Sequence, residues 1–328
     1  MTRSTFLRPV LALLCLAATS SLAVHAQLIF TTQGANASDH AVDVVGLNGS
    51  GASTLYSGSP MGNPNDIAVD YLTSKLYIAD GTGGQAIRVA NRDGSGSVSL
   101  VYSVGITVSG IAVDAANQQI YFTTQSATAT DDRVMRVNYD GSNPVTLFSG
   151  AANFNQPTGL ALDLSAGKIY VSDGTGGQAI KVGNLDGSGT MSSVLSVGIN
   201  VSGLALDASH QKIYFTTQSA TSTDDRVMTV GYDGTGSTTL FSGASAFGNP
   251  NRLALDVVNG KIYIADGTGG HSIDVANMDG TGSVSVLYDA GLNVSGIALV
   301  PEPGSLSLMA GSLLGAFALL RRYRRESR

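Results

Sequence analysis

The sequence predicts an all-β protein, a six-bladed β-propeller whose blades are four-stranded antiparallel sheets. One observation is that residues 157–196 contain four short runs of β-type residues, separated by clusters of Gly, Asp, Asn and Ser. A second is that this unit recurs along the chain. An aspartate ends the first strand of each copy at spacings of 44 or 49 residues, at Asp70, Asp114, Asp163, Asp207 and Asp256. Because one meander cannot bury its own apolar faces, each copy needs a neighbour on both sides.

The chain begins with a predicted signal peptide at residues 1–26. Arg3 and Arg8 provide the positive segment, an apolar run covers residues 10–18, and Val24-His25-Ala26 matches a cleavage pattern. We therefore expect export and a mature N-terminus at Gln27. Because Cys15 is the single cysteine and lies in this segment, the mature chain is expected to contain no disulfide.

The propeller is predicted to cover residues 27–300 and to close between its two ends. Its first β-type runs, at residues 28–32, 42–45 and 53–57, match strands two to four of a blade and lack a first strand. The last run, at residues 296–300, matches a first strand that has no successors. Pairing the two ends completes a sixth blade and removes two open sheet edges, which otherwise favour aggregation.

The blades alternate between two kinds, so three double blades are expected with pseudo-threefold symmetry. One kind contains the segment DGTGG between strands two and three, and the other contains a longer loop such as TTQSATATDDR. These loops are expected on one face of the ring. The third and fourth strands are joined by Asp-Gly turns, which are a strong hairpin signal and are expected on the opposite face.

Four segments of the repeat form a recurring motif, which is clearest at Ser109–Asp114, Ile120–Thr123, Arg133-Val134 and Asp140–Pro144. In these segments the repeat resembles the YWTD repeat of low-density-lipoprotein receptors and is similar to the NHL repeat. The sequence departs from the YWTD pattern because it contains no tryptophan and has Thr124 where the motif has Asp. The resemblance implies a six-bladed β-propeller.

The chain ends with three segments in a fixed order: Pro301-Glu302-Pro303, an apolar run at residues 305–320 and an arginine cluster at residues 321–325. Together they resemble a PEP-CTERM sorting signal of Gram-negative bacteria that export exopolysaccharide. The resemblance implies a short membrane helix, cleavage by an exosortase and delivery to the cell surface or its matrix. The alternative is a permanent single-span anchor, with the arginines on the cytoplasmic side.

The mature propeller is acidic. Residues 27–300 contain 22 Asp, no Glu and 11 Lys or Arg, so their net charge is close to −11. This charge disfavours nucleic acid as a partner and makes cations such as calcium reasonable ligands. No other cofactor is expected. We expect a monomer whose partners are an exopolysaccharide or a surface protein.

Three groups of polar residues are candidate sites. The strand-ending aspartates are either metal ligands around the channel or caps of the following turns, and the pattern favours caps. Asp131-Asp132-Arg133 and Asp224-Asp225-Arg226 are either ion pairs that hold a loop or a site for a cation or a sugar. Asp66 and Arg252 replace glycine at the entry to two inner strands and are expected near the channel mouth.

The sequence offers little for catalysis. The mature chain contains three histidines, His40, His210 and His271, and no cysteine, and no glutamate precedes Glu302. We identify no catalytic cluster that breaks the repeat. The expected function is non-enzymatic binding or scaffolding at the cell surface. The alternatives are a secreted hydrolase or lyase similar to propeller lactonases, and a calcium-dependent structural adhesin.

Overall fold

The computed structural model describes residues 26–128, 131–219, 224–243 and 246–301. These residues form 24 β-strands, arranged in six four-stranded antiparallel sheets, and one short 3-10 helix at Ala37–Asp39. The all-β, six-bladed prediction is therefore confirmed. The signal peptide up to residue 25 and the sorting segment from Glu302 onward lie outside the described residues. Within the described ranges, no helix is long and apolar enough to cross a membrane.

The strands coincide with the predicted β-type runs or extend them by one to three residues at one or both ends. Each sheet contributes one inner strand: β4 (Pro64–Asp70), β8 (Thr107–Asp114), β12 (Pro157–Asp163), β16 (Asn200–Asp207), β20 (Pro250–Asp256) and β24 (Asn293–Val300). The second strands are β1 (Gln27–Gln33), β5 (Lys75–Asp80), β9 (Gln119–Gln125), β13 (Lys168–Asp173), β17 (Lys212–Gln218) and β21 (Lys261–Asp266). The third strands are β2 (Ala41–Gly46), β6 (Ala86–Asn91), β10 (Arg133–Asn138), β14 (Ala179–Asn184), β18 (Arg226–Gly231) and β22 (Ser272–Asn277). The outer strands are β3 (Ser53–Ser57), β7 (Ser99–Ser103), β11 (Val145–Ser149), β15 (Ser192–Ser196), β19 (Thr238–Ser242) and β23 (Ser285–Asp289).

The six blades are named A to F in the order in which their second strands occur along the chain, so that blade A contains β1 to β3. Blade A is completed by β24, and its sheet has the order β24-β1-β2-β3. Gln27 pairs with Val300 and Phe30 pairs with Ile297 in an antiparallel register. The predicted closure between the two ends of the chain is confirmed.

The hydrophobic core consists of six separate clusters, one between each pair of neighbouring blades. Between blades A and B, for example, Ile29 and Val42 pack with Ile67, Leu76 and Ile78. Five equivalent clusters fill the other blade interfaces. Each blade has to bury both faces of its inner part, and its second strand is accordingly buried along almost its whole length, as in β1, where residues 28–32 are all buried.

The strand-ending aspartates are caps of the turns that follow, which confirms the interpretation that the sequence favoured. Asp70 accepts hydrogen bonds from the backbone N–H groups of Leu72 and Thr73, at 2.7 and 3.2 Å. Asp114, Asp163, Asp207 and Asp256 accept an equivalent bond from the residue three positions later. Their carboxylates are therefore committed to the backbone and do not converge on the channel.

The Asp-Gly hairpins on the same face are stabilised in the same way. Asp93 accepts hydrogen bonds from both the backbone N–H and the hydroxyl of Ser95, and these bonds lower the pKa of its carboxyl. The following Gly94 has a φ of 78°, which favours glycine. These segments are turns, as expected.

Candidate functional site

The channel is lined by the six inner strands, which contact one another around the ring. Four of them carry a glycine at the same position of the repeat, namely Gly110, Gly159, Gly203 and Gly296. A Cβ atom on Gly296 would lie 2.6 Å from the Cα of Asp66, and one on Gly110 would lie 2.6 Å from the carbonyl oxygen of Thr158. Neighbouring strands therefore approach too closely for a larger residue at these two positions.

Asp66 and Arg252 occupy this position in the two remaining blades, and the structure brings them together. Arg252 Nε lies 3.4 Å from Asp66 Oδ2, and about a tenth of each side chain is exposed. The guanidinium also donates to the carbonyl oxygens of Ser202 at 2.8 Å and Ser109 at 3.0 Å. Because these contacts reach inner strands β4, β8 and β16 from β20, Arg252 lies across the channel and obstructs it.

Asp66 is held by the backbone as well as by Arg252. Its Oδ1 accepts a hydrogen bond from the N–H of Ile67 at 2.9 Å, and its Oδ2 accepts one from Ile111 at 3.2 Å. Burial raises the pKa of this carboxyl, and the nearby Arg252 partly offsets the rise. Asp66 and Arg252 therefore have a structural role, since together they fill the channel.

The Asp131-Asp132-Arg133 segment divides into two different roles. Asp131 and Arg133 form an exposed ion pair with 3.5 Å between Oδ1 and a guanidinium nitrogen. Asp132 is fully buried, and its carboxylate accepts backbone N–H bonds from Ser126 at 2.9 Å and from Gln156 at 2.6 Å. It thus ties the long loop of blade C to the chain that enters blade D.

The Asp224-Asp225-Arg226 segment repeats this arrangement in blade E. Asp224 and Arg226 lie 3.1 Å apart, and both are partly exposed. Asp225 is buried and accepts the N–H of Ser219 at 2.9 Å. In both segments the geometry supports the loop-holding interpretation, while the exposed pairs stay candidates for contact with a ligand.

Buried aspartates at the end of the second strand hold the loops of the other blade kind. Asp80 accepts two backbone N–H bonds from the loop before β4, and Arg88 on β6 pairs with it. Asp173 is held in the same place with Lys181 at 3.5 Å. Burial raises the pKa of Asp173 to about 6. In blades B and D, a buried acid therefore faces a base on the next strand.

Blade F departs from this rule because it has a second acid in place of the base. Asp266 accepts the N–H groups of Gly248 at 2.7 Å and Asn249 at 2.5 Å, and Asp274 occupies the position of Arg88 and Lys181. Both acids are 2% exposed. Burial, together with the charge of Asp266, raises the pKa of Asp274 to about 7. This junction therefore holds a titratable carboxyl near neutral pH.

A pocket on the loop face over blade A contains two of the three mature histidines. It has a volume of about 480 Å³, and its lining includes Gln33, His40, Asn63, His271 and Asn293. His40 is 8% exposed and its Nδ1 has no hydrogen-bond partner among the described residues. This pocket was not identified from the sequence.

The sequence did contain a signal for it, because both histidines interrupt the repeat. His271 stands where blades B and D have Gln85 and Gln178, and His40 stands where blades C and E have the loop-holding Asp132 and Asp225. All three residues of the first set have a positive φ, near 50°. The repeat thus fixes the backbone while the side chain differs at this pocket.

The third histidine, His210, belongs to a turn on the opposite face. Its Nδ1 lies 2.7 Å from Asp207 Oδ2 and 3.1 Å from the hydroxyl of Ser209. Both partners therefore meet the same ring nitrogen, whereas a Ser-His-Asp triad requires one partner on each nitrogen. In the part of the chain that the structure describes, no group of three or more Asp, Glu, His or Cys residues could hold a metal ion.

Comparisons with known proteins agree with this fold. The family model of the NHL repeat matches residues 154–182, which correspond to β12 to β14. A chain in the crystal structure of a nidogen/laminin complex is similar with a TM-score of 0.69 and 16% identity, covering 84% of this chain and 98% of that one.

Two bacterial structures are also similar. TolB from Acinetobacter baumannii has a TM-score of 0.66 and 11% identity, covering 84% of this chain and 67% of that one. A structural genomics protein of unknown function from Bacteroides thetaiotaomicron has a TM-score of 0.56 and 13% identity, covering 74% of this chain and 68% of that one. At these identities the similarity concerns the fold, a β-propeller with one segment of NHL type.

Proposed function

We propose that this chain is an exported, non-enzymatic propeller that binds or scaffolds components of a bacterial cell surface or exopolysaccharide matrix. The observation that carries the proposal is the closed ring with an obstructed channel. Arg252 and Asp66 fill the place where many ring-shaped proteins hold a ligand, and the buried acids Asp132 and Asp225 are committed to loop backbones. The loop face is then the surface available for recognition.

The similarity to a chain from a nidogen/laminin complex supports a binding role, since that structure is described as a complex. Export and surface delivery rest on the predicted signal peptide and on the segment that begins at Pro301. An exosortase is the proposed processing partner, and cleavage near Pro301-Glu302-Pro303 would release the propeller intact, because residues 26–301 form one compact unit.

The proposal is tested by following the full chain in a Gram-negative host that has an exosortase and makes exopolysaccharide. We expect the chain to start at Gln27, to end near Pro303, and to be recovered with the extracellular matrix. A variant with alanine at Pro301, Glu302 and Pro303 should stay unprocessed in the inner-membrane fraction. Mass spectrometry and fractionation measure both results. Cytoplasmic recovery of an uncleaved wild-type chain would overturn the proposal.

A binding assay completes the test. Purified residues 27–301 are heated with the host's exopolysaccharide, with calcium and with a chelator. A ligand of the folded state at 100 times its Kd stabilises it by about 2.7 kcal/mol. Stabilisation by exopolysaccharide supports the proposed role, whereas a melting temperature that responds only to calcium would favour the adhesin alternative.

A further inference from the structure

We infer that the pocket formed by His40, His271 and Asn293 is a binding site for one neutral, polyhydroxylated sugar unit. This inference deepens the proposed function and rests on it, because it assigns the glycan contact to a particular place on the loop face. Its first support is that two residues lining the pocket each carry a buried polar atom, His40 Nδ1 and Asn293 Oδ1, that has no partner among the described residues. Buried polar atoms are hydrogen-bonded in the great majority of cases, so such a pair calls for a ligand.

The hydrogen bonds around Asn293 establish which of its two amide atoms is free. Gln33 Nε2 donates to the carbonyl oxygen of Pro64 at 3.0 Å, and a carbonyl accepts only. Gln33 Oε1 must then be the acceptor for Asn293 Nδ2, at 3.1 Å. Asn293 Oδ1 is therefore left as a buried acceptor, and its ligand has to supply an N–H or O–H donor.

The position of His40 explains why its imidazole is unpartnered. Asp132 uses the same place in the repeat to accept the backbone N–H of Gln156. In blade A, the equivalent N–H belongs to Asn63, and Asp80 accepts it at 2.7 Å. The loop is thus held without His40, whose buried ring nitrogen has no hydrogen-bond partner among the described residues.

The charge and size of the pocket select the class of ligand. Its lining contains no Asp, Glu, Lys or Arg, so the two imidazoles are the only lining side chains that could compensate a charged ligand. A carboxylate or phosphate offers acceptors only and cannot satisfy Asn293 Oδ1. Sugar hydroxyls both donate and accept, and a pocket of about 480 Å³ is within the usual range for small ligands.

Comparison with the corresponding pocket over blade E identifies the histidines as the distinguishing feature. That pocket, of about 360 Å³, has the same amide arrangement, with Asn200 donating to Gln218, and the Oδ1 atoms of Asn200 and Asn249 are likewise buried without a partner among the described residues. Gln178 replaces His271 there, and Asp225 takes the place of His40. Replacing a residue of this pocket by its counterpart from another blade therefore introduces a side chain that the repeat already accommodates at the same position.

The test uses the imidazole signals of residues 27–301 labelled with ¹³C-histidine, titrated with methyl glycosides of glucose, galactose and mannose and with glucuronic acid. We expect at least one neutral glycoside to shift the signals of His40 and His271 in a saturable manner. His210, on the opposite face, is the internal control and should not move. His271→Gln and Asn293→Thr, which copy Gln178 and Thr107, should each weaken binding by about tenfold or more. The control variant His210→Gln should bind as the wild type does.

Three results would overturn the inference. The first is that no neutral glycoside shifts the signals of His40 and His271. The second is that the His271→Gln and Asn293→Thr variants bind as tightly as the wild type, and the third is that glucuronic acid alone shifts the signals. The failure of the broader function is recognised separately by the heating assay. Exopolysaccharide that stabilises the protein without moving these signals leaves the matrix role intact and removes this pocket from it. If no exopolysaccharide stabilises the protein, both the matrix role and the assignment of this pocket are contradicted.

Discussion

Asp66 and Arg252 are buried charges whose stability depends on each other. Each replaces the glycine that the other four inner strands carry, so the repeat itself shows that a small residue fits this position. Removing one member of a buried ion pair is costly, because the other charge keeps its desolvation penalty and loses its partner. The pair is therefore a place where single and double substitutions should differ strongly.

We predict that Arg252→Gly lowers the free energy of unfolding by about 3 to 5 kcal/mol. Asp66→Asn should cost less, because Arg252 keeps the carbonyl oxygens of Ser109 and Ser202 as acceptors. The double variant Asp66→Gly/Arg252→Gly restores the glycine ring. Its loss of unfolding free energy should be smaller than the sum of the losses in the two single glycine variants by about 1 to 3 kcal/mol. Urea denaturation of the wild type, Asp66→Gly, Arg252→Gly and the double variant measures this coupling, and strict additivity would contradict it.

The pairing of these two residues was beyond what the sequence could provide. Their departure from glycine was visible, and it predicted a position near the channel mouth. The sequence did not show that the Arg252 side chain reaches across the ring to Asp66, because that contact depends on the closure of six blades. The pair thus shows that a repeat reveals which positions are exceptional, whereas the partner of an exceptional residue is a property of the assembled ring.

At the scale of strands and loops, the prediction was more complete. Strand positions followed from short β-type runs between turn residues, and the turn-capping aspartates followed from their place at strand ends. The histidine pocket was missed because its residues come from loops of three blades, including His40, Asn63 and His271. In the linear sequence each histidine is a single departure from the repeat. The pocket residues become neighbours only when the loops of the three blades meet on one face.

The junction between β21 and β22 is expected to make stability depend on pH. Asp274 has a pKa raised to about 7 in the folded protein, against about 3.8 when exposed. Between these values the folded state holds a proton that the unfolded state has released. Stability is therefore lost as the pH rises through this window, by up to about 1.4 kcal/mol per pH unit for this group.

We predict that Asp274→Asn removes this loss. The variant should be more stable than the wild type at pH 8, and the difference should shrink towards pH 4, where the unfolded state also begins to bind the proton. Asp279→Asn is a matched control on the same blade. Hydrogen bonds from Thr281 lower the pKa of Asp279, so its variant should be less stable than the wild type above pH 4. Thermal melting between pH 4 and 8 measures both, and a pH-independent difference for Asp274→Asn would contradict the assignment.

At the scale of the whole molecule, the ring is closed without a covalent bond, by the pairing of β24 with β1. β24 also contacts inner strands β4 and β20, and it buries Val294, Ile297 and Val300. Each of these side chains contributes about 1.5 to 3 kcal/mol through its burial. Because domains of this kind are stable by only about 5 to 15 kcal/mol, losing the strand should remove most of the stability.

We predict that a chain ending at Leu292 is unfolded or aggregates, whereas one ending at Pro301 is monomeric and melts cooperatively. A permuted chain provides the control, because Val300 pairs directly with Gln27. Placing residues 293–300 before Gln27, joined by the four-residue turn Tyr71–Ser74 that links β4 to β5, keeps every strand in its blade. We expect this protein to melt at or above the temperature of the chain ending at Pro301, since its closing strand is now tethered to the strand it pairs with. If the chain ending at Leu292 melted as the longer chain does, β24 would not be what closes the ring.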